Sequence, residues 1–100
     1  MIETYLINRV KAYGGITRKV SWIGRAGTPD RLVMLHGRHC FVELKCATGR
    51  LSAAQKREHE LMKEKGNIVV EVVWSKEDVE DLIDRMTQPH EWEIFREYCS

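Results

Sequence analysis

Two short apolar runs, Arg31-Leu32-Val33-Met34-Leu35-His36 and His39-Cys40-Phe41-Val42, stand either side of Gly37-Arg38. Branched residues around a glycine-containing break read as a β-hairpin. Pro29-Asp30 leads into the first strand and Glu43-Leu44-Lys45 continues the second, so this stretch constrains the rest of the chain. With Gly37 and Arg38 as the loop, His36 faces His39, Leu32 faces Glu43, and Asp30 faces Lys45. Strand side chains alternate, so Asp30, Glu43 and Lys45 project from one face. A one-residue slip would carry Asp30 to the other face. A loop of even length therefore gathers two acids and a lysine into one patch.

Two carboxylates and an ammonium at a strand end suit one kind of chemistry. Hard oxygen ligands hold magnesium in an open octahedral site with room for water and a phosphate oxygen. Such a metal polarises the phosphoryl group and lowers the pKa of bound water. The lysine is a point charge that orients the water or offsets negative charge in the transition state. The same residues admit a plainer reading, a cross-strand Asp30–Lys45 ion pair worth a fraction of a kcal/mol.

The length of 100 residues predicts one domain with one core. No apolar run is long enough for a membrane span, and no basic-then-apolar leader precedes the first helix. Three cysteines without a C-x-x-C do not make a disulfide framework. An intracellular, cytoplasmic protein is expected, with no membrane partner. Net charge is +1, but it divides unevenly. Through Arg57 there are eleven Lys or Arg against three acids, Glu3, Asp30 and Glu43; from Glu58 onward there are five against twelve. The only acids of the basic half are candidate site residues. That is the footprint of a surface that meets phosphates, although two ordinary solvated surfaces would also serve solubility.

Ile2 to Tyr13 is predicted as a helix with Ile2, Leu6, Ile7, Val10 and Tyr13 as its apolar stripe, ended by Gly14-Gly15. Glu3 shares that face: it either favours the helix dipole from the first turn or adds a third carboxylate over the site. Ile16 to Ile23 is strand-like, with Arg18-Lys19 exposed. Gly24 to Pro29 forms a loop that allows backbone to approach a ligand, and Arg25 puts a charge there. Ser52-Ala53-Ala54-Gln55 is a capping-box pattern opening a helix that closes at Gly66. Gln55 either reaches back to the Ser52 amide, the favoured reading, or points toward Lys45 and the water. Ile68 to Trp74 is predicted as a strand buried on both faces and flanked by pairs. Ser75 to Asp78 caps another helix, with Val79, Leu82, Ile83 and Met86 at helical spacing. After Pro89, Trp92, Ile94, Phe95 and Tyr98 fold onto the core or offer a subunit interface. His36, His39, Cys40 and Cys46 fit no standard zinc spacing.

The order helix, strand, strand, strand, helix, strand, helix, with these motifs, resembles the PD-(D/E)xK nuclease superfamily and, within it, the VRR-NUC (virus-type replication–repair nuclease) family of small phage and bacterial type. The residues that carry the resemblance are Glu3, Gly27-Thr28-Pro29-Asp30, Glu43-Leu44-Lys45, and Gln55 within Gly49 to Gln55. It implies an α/β fold with a restriction-endonuclease-like core, a mixed central sheet flanked by helices. The domain would span 1–100, with its core at 1–75 and a C-terminal helical extension at 76–100. Asp30, Glu43 and the Leu44 carbonyl would bind Mg²⁺ or Mn²⁺, and Glu3 would complete the shell directly or through water. Lys45 would position the attacking water and Gln55 would hold Lys45. Arg18, Lys19, Arg25, Arg31, Arg50, Lys56 and Arg57 are the candidate DNA contacts. The implied reaction is phosphodiester hydrolysis leaving a 5′-phosphate, on branched DNA such as four-way (Holliday) junctions, by a homodimer matched to a two-fold substrate. The competing expectations are a nuclease for flapped, nicked or plain duplex DNA and a catalytically silent DNA-binding module.

Overall fold

The computed structural model describes residues 2–88. Helix α1 (Ile2–Ala12) is followed by β1 (Ile16–Lys19), β2 (Arg31–Leu35), β3 (Arg38–Leu44), α2 (Ala53–Gly66), β4 (Val70–Val73) and α3 (Lys76–Thr87). Helix α1 ends at a pair of glycines: Gly14, at φ 87, lets Gly15 N–H reach the Val10 carbonyl at 2.9 Å while its own N–H takes that of Lys11. These reverse bonds satisfy carbonyls the last turn leaves open. Gly15 must then be small, since a Cβ there would lie 2.6 Å from the Met34 carbonyl oxygen.

The sheet runs β1-β2-β3-β4, antiparallel through the first three strands and parallel from β3 to β4. A parallel neighbour needs a long crossover, and α2 supplies it. Alternation sorts the two faces. Val33, Leu35, Cys40 and Val42 lie in a core with Leu6 and Val10 of α1 and with Val79, Leu82, Ile83 and Met86 of α3. Tyr5 and Arg9 both bond Glu80, tying α1 to α3 outside that core. The alternate residues, Leu32, Phe41 and Glu43, face the α2 side.

The hairpin departs from the expected register. Its loop is His36-Gly37, with φ of 55 and 75, and Leu35 pairs with Arg38 and Leu32 with Phe41. Two successive positive φ values make the primed turn whose twist matches the strands, and histidine tolerates the left-handed region better than most residues. The ladder is shifted by two positions, so Asp30 lies opposite Glu43 rather than Lys45. Because the shift is even, Asp30, Glu43 and Lys45 keep a common face.

Two further expectations change. Strand β1 stops at Lys19, which pairs with Arg31, and one more bond joins Val20 N–H to the Asp30 carbonyl. Beyond it Pro29 has no N–H to offer, the chain swings out, and Ile23 is fully exposed. Strand β4 holds only Val70–Val73 and pairs with β3 alone among the described strands. Its apolar character reflects the helices packed near it, α2 and α3, and not strands on both sides. The segment after Pro89, with Trp92, Ile94, Phe95 and Tyr98 and the expected interface, lies outside the described residues. No helix among those described is long and apolar enough to cross a membrane.

Candidate active site

The site begins with the register. Asp30 N–H bonds the Val42 carbonyl at 3.0 Å, and its carboxylate Oδ2 accepts from Leu44 N–H at 2.7 Å. The aspartate is thus fastened across the hairpin beside Glu43. Lys45 N–H bonds the Val73 carbonyl at 2.9 Å, which extends the β3–β4 ladder past Leu44 and fixes where the lysine leaves the sheet.

Glu43 is the unusual residue: it is a carboxyl only 1% exposed, one residue from the end of the inner strand β3. Burial pushes its pKa up to about 8; hydrogen bonding to Asp30 and that residue's charge push the same way, and Lys45 pulls it down. Glu43 therefore keeps its proton near neutral pH. Helix α2 supplies two partners to the buried carboxyl. Gln55 Nε2 donates to Oε2 at 3.1 Å, and His59 Nε2 lies 3.3 Å from Oε1. Burial holds His59 below its ordinary pKa, and its Nε2 donates to or accepts from Glu43 according to the tautomer.

Gln55 makes the cap and a second bond at once. Its Oε1 accepts from Ser52 N–H at 2.8 Å while Ser52 Oγ accepts from Gln55 N–H at 3.0 Å, a complete capping box. That bond fixes which end of the amide is oxygen, and the nitrogen is left to donate. It donates to Glu43, however, and not along the expected line to Lys45. His59 was not singled out by sequence reasoning. The available signal was its spacing, four residues after Gln55, which places both on one helix face.

The loop before Asp30 docks onto the same helix. Gly27, at φ 92, passes so close that a Cβ would lie 2.5 Å from the Ala54 carbonyl oxygen and 2.9 Å from Glu58 Cβ. Arg25 Nε meets the buried Glu58 at 2.6 Å, and Thr28 Oγ1 accepts from Trp22 N–H at 3.0 Å.

Glu3 is placed elsewhere. Its carboxylate accepts from Arg31 Nε at 3.0 Å, and Arg31 points to the α1 side of the sheet, opposite to its neighbour Asp30. Among the candidate DNA contacts, Arg25 and Arg31 are therefore engaged in ion pairs, whereas Arg18, Lys19, Arg50, Lys56 and Arg57 are exposed and make no ion pair among the described residues.

Among the described residues no three His, Cys, Asp or Glu side chains cluster as a metal-binding group. His36 lies in the hairpin turn and His39 on β3, Cys40 is buried in the core and Cys46 is exposed. Asp30 and Glu43 nevertheless fit a hard divalent cation. They are all-oxygen donors, and the proton that burial and Asp30 force onto Glu43 marks negative charge awaiting compensation.

Four strands in this mixed order, with α1 and α3 on one face and α2 on the other, make a restriction-endonuclease-like core. A solved structure described as a "VRR_NUC domain" matches with a TM-score of 0.73 and 40% identity, over 83% of this chain and 90% of that one. The chain belongs to the VRR-NUC family. It is also similar to "Putative nuclease p44" of Acyrthosiphon pisum secondary endosymbiont phage 1, 44% identical over 59 residues, or 58% of this chain. The match spans 63% of that phage protein's length, just under two thirds. No protein-family model matches the chain.

Proposed function

We propose that the chain is a metal-dependent DNA endonuclease acting as a single domain over residues 1–100. The observation that carries this reading is the buried Glu43 opposite Asp30, with Lys45 on the same face and a basic half of the chain around them. Asp30, Glu43 and the Leu44 carbonyl are the residues that would hold Mg²⁺ or Mn²⁺. A bound cation supplies a Lewis acid for the scissile phosphate and a lowered pKa for water. Lys45 orients the attacking water and offsets charge that develops on the phosphoryl oxygens. Gln55 acts on Glu43. Glu3, held by Arg31, reaches the site only if that ion pair opens. The exposed basic side chains Arg18, Lys19, Arg50, Lys56 and Arg57 meet the DNA backbone. The names of the solved relative and of the phage relative support nuclease chemistry. Branched DNA cut by a homodimer is the finer form of the proposal, since a two-fold enzyme presents paired sites to a two-fold junction.

Matched four-way junction and linear duplex, each incubated with Mg²⁺, Mn²⁺ or chelator, test the reading. Metal-dependent symmetric nicks on the junction are expected, with Lys45→Ala binding but not cutting. Equal cutting of both substrates would remove the junction preference. Binding without cutting in either metal would leave a silent DNA-binding module.

A further inference from the structure

His59 has no place in the proposed chemistry, yet it lies in the wall of the site. It sits on α2 one turn beyond Gln55, its side chain is 13% exposed, and its Nε2 faces Glu43 Oε1 at 3.3 Å. Gln55 holds the other oxygen of the same carboxyl. The two side chains take different oxygens, and both come from one face of one helix. A carboxylate held by one donor still swings about its last torsion, which is broad for glutamate. Held by two donors, one per oxygen, it has a fixed plane. Each oxygen accepts in two directions, so one direction per oxygen remains for the space shared with Asp30.

We propose that His59 is a positioning residue that, with Gln55, fixes the plane of Glu43 so that its unused lone pairs meet a divalent cation. The inference rests on the metal-dependent reading above and adds a residue to it. The surroundings support a built support and not a chance contact. Helix α2 is pinned at its start by the Ser52–Gln55 capping box, and the loop carrying Gly27 and Arg25 is packed against Ala54 and Glu58 beside His59. Partners of this kind orient a ligand and set its affinity without touching the metal.

Calorimetric titration of Mn²⁺ into the DNA-free protein tests the inference with a readout separate from cleavage. His59→Ala should weaken Mn²⁺ binding by about 10-fold or more. His59→Gln, whose amide N–H has a reach similar to Nε2, should restore affinity to within about threefold by the same argument. A merely structural role would lower the melting temperature of both variants alike and would give no rescue by the donor. Should truncation unfold the domain, His59→Phe keeps the bulk without the N–H and is expected to bind as weakly as His59→Ala. Wild-type affinity in the Ala or Phe variant, or failure of a folded His59→Gln to recover it, overturns the role of His59 alone. Absence of Mn²⁺ binding by the wild type would overturn the metal reading and this inference with it.

Discussion

At the scale of single residues, Glu43 decides how the metal-free protein answers to pH. Its folded-state pKa of about 8 stands above the ordinary value of 4.5, so between the two the folded protein holds a proton the unfolded chain has released. Stability therefore falls as pH rises through that interval and levels off above about 8. His59 works in the opposite sense. Lowered from 6.5, it costs stability only as pH drops below that value. Well above pH 6.5 it is neutral in both states, and up to about pH 8 Glu43 acts against a quiet background. Thermal melts in chelator should show the melting temperature of the wild type declining across this window. Glu43→Gln, which keeps the shape and can still bond Gln55 and His59, should flatten the decline. A wild type and variant with parallel pH profiles would mean that Glu43 is ionised throughout. Added Mn²⁺ should raise the melting temperature most at the alkaline end, where no proton competes for the site.

At the scale of elements, the loop–helix contact at Gly27 is the joint that brings Asp30 and α2 together. Gly27→Ala combines a left-handed backbone at φ 92 with a Cβ 2.5 Å from a helix carbonyl, and should cost about 2–4 kcal/mol. Gly24 has φ 73 but nothing within 4 Å of its Cβ, so Gly24→Ala should cost about 1 kcal/mol. Urea midpoints at unchanged slope separate the two, and equal losses would show that backbone strain alone matters. The helix cap can be tested in the same way: Ser52→Ala should cost about 1 kcal/mol. It should also loosen Gln55 from Glu43, visible as weaker Mn²⁺ binding. Element order and the shared face of Asp30, Glu43 and Lys45 were legible because they depend on periodicity and on parity. The register itself was not. Gly37-Arg38 and His36-Gly37 are both even loops that put the same residues in the core, so hydrophobic pattern cannot choose between them. The turn's need for positive φ at both central residues chose. Glu3 shows a related limit: the helix stripe left it either at the helix end or over the site, and in the fold its carboxylate pairs with Arg31, next to Asp30 and on the opposite face. His59 stood among charged neighbours and became legible only once Gln55 was seen on Glu43.

At the scale of the whole molecule, the segregation of charge has a measurable consequence in DNA binding. Each phosphate neutralised releases condensed counterion, contributing about −0.9 to the slope of log K against log salt on duplex DNA. The seven basic side chains that sequence places near the site are not equivalent in the fold. Arg31 is held by Glu3 at 3.0 Å and Arg25 by Glu58 at 2.6 Å, so each must give up a carboxylate before it can serve a phosphate. The remaining five are Arg18, Lys19, Arg50, Lys56 and Arg57, and they predict a slope of about −4 to −5 per chain. Anisotropy titrations of the Lys45→Ala protein over a range of KCl, which hold cleavage off, measure it. Replacing Lys56 and Arg57 together by Ala should flatten the slope by about 2, whereas Arg31→Ala should leave it nearly unchanged. A slope steeper by another two units, sensitive to Arg25 and Arg31, would mean that DNA breaks both ion pairs. A slope near zero would remove DNA as the partner of the basic half, because no phosphate-binding surface escapes counterion release.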